Sequence, residues 1–302
     1  MIFLILLFLF LILIVCFFVV AFFVNAAMFK PYKKIKPPAD GRKVTFRSGR
    51  NSLAGYLWNE SGTRGLIVFA HGMGVGVEYY SPEIHHFAEQ GYKLFAFEYS
   101  GYPGSSGHFY GFPQAVTDLK NALDFIVDDS LPVILMGHSM GAYAVCAVGQ
   151  FTDKHVDGLV AYAPFFSSDE AVIAEATGRN QKGGKLLCAL ILSIQRVLFG
   201  KNRNPTAVAG LSRANVPTLV LQGSEDAEVT PDGCALFAYR NELAGSPVKF
   251  ALIGEEGSNG HMTVVRKKGS RTVNEDTIRR VDAFIESMPD KNNMNRGLTA
   301  RI

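Results

Sequence analysis

Gly137-His138-Ser139-Met140-Gly141 sets a hydroxyl between two glycines. The apolar run at 133–136 reads as a buried strand, and the small residues at 142–145 open a helix. In a strand–turn–helix context G-x-S-x-G is a nucleophile elbow, with the serine on a sharp, strained turn. Gly137 and Gly141 are required because strand and helix backbones meet there with no room for side chains. A serine hydroxyl is a weak nucleophile at neutral pH, so Ser139 needs a base and a group to orient that base. The apolar run at 218–221 leads into Gln222-Gly223-Ser224-Glu225-Asp226, which makes Asp226 the candidate acid. The run at 248–253 leads through a polar loop to Gly260-His261, which makes His261 the candidate base. Glu225, Glu228 and Asp232 compete with Asp226, and a lone loop histidine is more often a surface residue. The weight lies in the combination, since each group follows its own predicted strand.

Acyl chemistry at Ser139 also needs two N–H groups aimed at the developing oxyanion. Met140, directly after the serine, offers one. Met73 offers the other from His71-Gly72-Met73-Gly74, where Gly72 lets the chain turn after the apolar run 66–70. His71 beside Gly72 suits a structural role, and His138 is expected to pack near the site. His85, His86 and His108 have no metal-ligand spacing, so no metal is expected.

These groups need a scaffold. Residues 44–47 and 53–58 read as a hairpin, and strands follow at 65–70, 92–98, 133–136, 158–163, 217–221 and 248–253. Helical patterns intervene, with Ser81 as a cap before Pro82, a helix over 112–127 and a last one over 273–288. Strands alternating with helices predict an α/β fold with a mostly parallel sheet covered on both faces. Residues 164–216 break the alternation and read as a helical lid insertion. Within it, 185–199 is apolar on most sides, as fits a core helix, a lid over an acyl pocket or a helix touching a bilayer.

The chain has 302 residues and a net charge of +3 with scattered Lys and Arg, which argues against nucleic acid as a partner. Cys16, Cys146, Cys188 and Cys234 show no paired spacing, so buried reduced thiols are expected. From Ile2 to Val24 no side chain is charged or polar except Cys16. That run is too long for a signal-peptide core and lacks a basic start, so residues 1–29 are expected to form an uncleaved transmembrane anchor. Lys30, Lys33, Lys34 and Lys36 follow in a basic linker at 30–42, which by the positive-inside rule puts the remainder on the cytoplasmic side. The sequon at Asn59 reads as accidental, and residues 289–302 as a polar tail.

Residues 43–288 resemble the α/β-hydrolase superfamily, above all a membrane-anchored, esterase-like branch related to the serine aminopeptidase group. The resemblance rests on His71-Gly72, Phe95-Ala-Phe-Glu-Tyr-Ser-Gly-Tyr-Pro-Gly-Ser-Ser-Gly107, the elbow, Gly223-Ser-Glu-Asp226 and Gly260-His261. The order Ser, Asp, His is the one this superfamily uses. Glu98 stands where relatives usually carry Asp, and Pro103 interrupts their Gly-Tyr-Gly. The resemblance implies hydrolysis of a carboxylic ester through an acyl-enzyme, with no cofactor and a small acyl-ester or lipid-like substrate. An acyl-protein thioesterase or a serine peptidase is the alternative within enzymes; a peptidase needs an acid for an amine terminus, and Asp169 and Glu170 are available but read as ordinary loop acids. A membrane-tethered binding protein on the same fold is the alternative outside them. Oligomeric state is not legible in the chain.

Overall fold

The computed structural model describes the chain except for residues 32–33, 128–129, 180–182, 268, 271 and 289–302. The expected polar tail therefore lies outside the described residues. Strands β1 (Arg42–Ser48), β2 (Asn51–Trp58), β3 (Leu66–Ala70), β4 (Lys93–Phe97), β5 (Val133–His138), β6 (Gly158–Tyr162), β7 (Thr218–Gly223) and β8 (Val248–Ile253) form one sheet. Their order is β1-β2-β4-β3-β5-β6-β7-β8. Pairing is antiparallel from β1 to β2 and from β2 to β4, and parallel from β4 through β8. Every residue of β3, β5, β6 and β7 is buried, as expected where helices cover both faces of a parallel sheet.

The helices are α1 (Ile2–Met28), α2 (Ser81–Glu89), α3 (Phe112–Ile126), α4 (Met140–Ala147), α5 (Ser168–Arg179), α6 (Gly184–Phe199), α7 (Ala207–Ala214) and α8 (Glu275–Glu286). Apolar faces of α3, α4 and α7 build the core on one side of the sheet, while α2 and α8 build it on the other. One local expectation fails: Ser81 does not cap α2. A 3-10 turn, Val77–Tyr80, runs directly into the helix, so Tyr80 is the cap and the Ser81 hydroxyl donates to the Glu78 carbonyl.

The long stretch between β6 and β7 divides into parts with different packing. Helix α7 lies backbone to backbone on α4, where a side chain at Gly210 would strike the Cys146 carbonyl oxygen and come within 2.7 Å of Ala147 Cα. Thr206 caps it, accepting from the Ala209 N–H at 3.2 Å. Helix α5 contributes Ala171 and Glu175 to the cavity that Ser139 lines, and α6 packs between α5 and the N-terminal helix α1. All four cysteines are free, but only Cys146, Cys188 and Cys234 are buried; Cys16 is exposed on α1, where no described residue of the domain covers the helix. Asn59 has positive φ in a turn, and its side-chain amide donates to the Ala88 and Tyr92 carbonyls.

Candidate active site

The turn after β5 is as tight as the glycines require. Ser139 has φ +54°, a conformation that costs a side-chain-bearing residue about 1–3 kcal/mol. Its N–H donates to the Tyr162 carbonyl at 2.8 Å, and its carbonyl accepts from the Tyr143 N–H at 2.9 Å, so both neighbouring elements hold the strained residue. A Cβ on Gly137 would lie 2.5 Å from the Gly141 carbonyl carbon, and one on Gly141 would overlap the Ala70 carbonyl oxygen.

The structure brings together the three side chains that the sequence singled out from loops far apart in the chain. Ser139 Oγ lies 3.0 Å from His261 Nε2, and His261 Nδ1 lies 2.8 Å from Asp226 Oδ2. Asp226 is 3% exposed and His261 7%, so neither is an ordinary loop residue facing water. The Asp226 carboxylate is saturated. Its Oδ1 accepts the Glu228 and Val229 N–H groups at 2.9 and 2.8 Å, while Oδ2 also accepts from Gln222 Nε2 at 3.0 Å. That cradle distinguishes Asp226 from Glu225, Glu228 and Asp232. With Oδ2 as acceptor, the imidazole carries its proton on Nδ1 and turns a free lone pair on Nε2 toward the serine.

Met140 is the first residue of α4, so its N–H is among the amides at a helix start that have no partner inside the helix. Met73, Ser139 and His261 line one cavity of about 50 Å³ with Phe112, Phe165 and Val229. Glu175 from α5 and Glu228 line it too. Glu228 Oε2 comes within 3.8 Å of His261 Nε2. Asp169, in contrast, is ion-paired with Arg203 at 2.5 Å, and neither it nor Glu170 lines the cavity. Asp169 and Glu170 are thus placed as ordinary acids away from the cavity, and it is Glu175, further along α5, that lines it. A wider cleft of about 340 Å³, lined by residues that include Thr152, His155 and Arg213, opens near the amino ends of β5 and β6, away from Ser139.

Beneath the site runs a relay that the sequence did not disclose. Gly72 N–H donates to Tyr80 Oη at 3.1 Å, and Tyr80 Oη donates to His138 Nδ1 at 2.8 Å. His138 Nε2 then donates to the His261 carbonyl at 3.0 Å. Burial, with the neighbouring His261 adding to it, holds His138 well below the ordinary imidazole range, so it stays neutral. The relay joins the Gly72 turn, the elbow and the backbone of His261 into one hydrogen-bonded unit. The one sequence signal for it was the histidine inside the elbow, whose partner on a distant turn has no fixed spacing. His71 is fully buried, its Nε2 3.2 Å from Glu98 Oε2, while Glu98 Oε1 accepts the Val77 N–H at 3.0 Å. This is the structural role expected of His71, and the longer Glu98 side chain spans the gap.

The comparisons agree with this architecture. A family model described as serine aminopeptidase, S33, matches residues 61–193. A monoacylglycerol lipase of Mycolicibacterium smegmatis is 26% identical over 122 residues, 38% of this chain and 44% of the relative. That match spans less than half the length of the curated relative. Among solved structures, the Pyrococcus furiosus esterase Pf2001 superimposes with a TM-score of 0.64 at 16% identity, covering 86% of this chain and 97% of that one. An alpha-beta hydrolase from Vibrio vulnificus gives a TM-score of 0.59 at 20% identity, covering 82% and 81%. The chain has the fold of these α/β-hydrolases, as the motifs led one to expect.

Proposed function

We propose that this α/β-hydrolase is a serine carboxylesterase that acts on lipophilic esters through an acyl-enzyme at Ser139. His261 Nε2 removes the hydroxyl proton as Oγ attacks the acyl carbon, and the Met73 and Met140 N–H groups stabilise the oxyanion. His261 returns the proton to the leaving alcohol, and water, activated by the same nitrogen, then releases the acid and restores Ser139. Asp226 keeps the tautomer and stabilises the transient imidazolium. The single observation that carries the reading is the chain of two hydrogen bonds, 3.0 Å from Ser139 to His261 and 2.8 Å from His261 to Asp226.

Apolar walls from Met73, Phe112, Phe165 and Val229 support room for an acyl group, and the lipase and esterase relatives support the same class. Helix α1 is long and apolar enough to cross a membrane. We read it as a retained anchor with the hydrolase domain on the cytoplasmic side. The basic residues after it support that orientation. The burial of Asn25 against the domain supports retention, since cleavage beside Asn25 would open a packed interface.

A fluorophosphonate probe tests the chemistry. Wild-type protein is expected to be labelled and Ser139→Ala to be unlabelled, with hydrolysis of nitrophenyl esters lost in parallel. Equal labelling of the two, or none of the wild type, sinks the reading. A second reading is favoured by Glu175 and Glu228, whose carboxylates in the cavity suit a substrate with a cationic group near the scissile bond, such as a peptide amine terminus.

A further inference from the structure

Helix α1 is divided in two by its surroundings. Residues 2–20 are all exposed. At about 1.5 Å per residue they span roughly 28 Å, close to the hydrocarbon thickness of a bilayer. From Ala21 onward the same helix is docked on the domain. Ala21 and Asn25 are fully buried and Phe29 is 1% exposed, its ring packed 5.1 Å from Phe112. Asn25 forms a buried clasp, donating to the Tyr110 carbonyl at 2.8 Å and accepting from Gln195 Nε2 of α6 at 3.4 Å. The domain therefore begins where the hydrocarbon would end.

We propose that the outer face of α6 lies in the interfacial layer of the membrane that α1 enters, so that the Ser139 cavity takes its ester from the bilayer. The inference rests on α1 spanning a membrane, and it deepens the ester-hydrolase reading by naming the source of the substrate. Helix α6 packs on α1 and is clasped to Asn25, near its docked end. It turns outward Leu186 at 65%, Val197 at 64% and Leu198 at 38% exposure. Lys185 and Arg196 on the same helix are exposed as well, as are Lys30, Lys34 and Lys36 just after α1. Apolar side chains interleaved with basic ones are the make-up of a helix lying at a lipid–water boundary. The bilayer is the occupant because α1, packed on this helix, acts as a ruler for depth. From Phe29 the contact continues through Phe112 to Phe165, 4.7 Å apart, and both of these rings line the Ser139 cavity. The cavity wall thus reaches the docked foot of the membrane helix.

The test uses full-length protein in liposomes, carrying Cys16→Ser and single bimane-labelled cysteines at Leu186→Cys, Val197→Cys or Arg279→Cys. Arg279 lies on α8, across the sheet, and is the control. Brominated acyl chains are expected to quench the first two probes at least about twofold and to leave the third unchanged. Quenching no greater than at Arg279 overturns the proposal, as does concentration-dependent cross-linking through Leu186→Cys, which would assign the face to a second copy. Leu186→Glu with Val197→Glu should lower turnover of a vesicle-embedded ester about tenfold and leave a water-soluble nitrophenyl ester within about twofold. Equal loss on both substrates would mean that the face serves stability, and would also overturn it. Quenching with no fluorophosphonate labelling of Ser139 would sink the hydrolase reading alone.

Discussion

The floor and the roof of the Ser139 cavity are built on opposite principles. The floor comes from strand ends and the turns that leave them, and the acid and base in it have fixed partners. Asp226 accepts four hydrogen bonds, and His261 is held by its ring and by its carbonyl. The roof comes from the α5 and α6 segment, whose helices lean on each other and on α1 rather than on the sheet. Chemistry that needs atoms held within about 0.5 Å belongs on the first kind of support. Access and selectivity belong on the second, where packing is side chain against side chain and a helix can shift without breaking a strand.

That contrast can be broken at several points. The largest effect is expected at Asp226→Asn, which removes the acceptor that sets the His261 tautomer. The kcat for a nitrophenyl ester should fall by about 10³–10⁴ with KM little changed; a loss below tenfold would show that Asp226 does not orient the base. Next comes Tyr80→Phe, which strands the Gly72 N–H and His138 Nδ1 in a dry interior. Urea unfolding should register a loss of about 2 kcal/mol, and the rate of probe labelling at Ser139 should fall about tenfold as His261 loosens. Unchanged labelling with lowered stability would reduce the relay to scaffolding.

A smaller effect is expected in the roof. Glu175→Gln should lower kcat/KM for an ester bearing a cationic group by about five- to tenfold, as expected from one lost charge pair in a partly buried site. A neutral ester of the same size should hold within about twofold. Equal effects on both would remove charge selection from the roof. The smallest is a pH effect remote from the site. Burial raises the Asp118 carboxyl from 3.8 to about 6, against the opposing hydrogen bonds from Ser48 and Ser100. The folded chain then holds this proton more tightly than the unfolded chain does. Its contribution to stability is largest below the unfolded value and declines as pH rises toward about 6. Unfolding midpoints of Asp118→Asn and wild type, compared from pH 4 to 7, should converge or shift in favour of wild type on acidification; a constant gap would contradict the assignment.

Ser139, Asp226 and His261 were legible as candidates because each follows a run that reads as a strand, buried throughout in β5 and β7 and only at Ile253 in β8. A parallel sheet delivers all its carboxyl ends to one edge, so order along the chain becomes proximity in space. Gly137 and Gly141 were legible for a local reason, the lack of room where β5 meets α4. The Ser81 cap was misread because a 3-10 turn and an α-helix leave the same trace in composition. Glu175 was missed because an acid on a solvent-facing helix and an acid over a cavity look alike until the helix is placed. Tyr80 was missed because its partners, Gly72 and His138, are 8 and 58 residues away, and no periodicity encodes such a contact.

By itself the sequence determined the strand run, the elbow, the three candidate side chains and the length of the apolar N-terminal helix. All of these depend on short-range sterics and on the burial of continuous apolar segments. Tertiary structure alone decided how the Asp226 carboxylate is cradled, what braces His261 from below and which helix leans on α1. Those choices turn on which of several chemically similar side chains reaches a partner in a dry interior, and that is settled only when the layers pack.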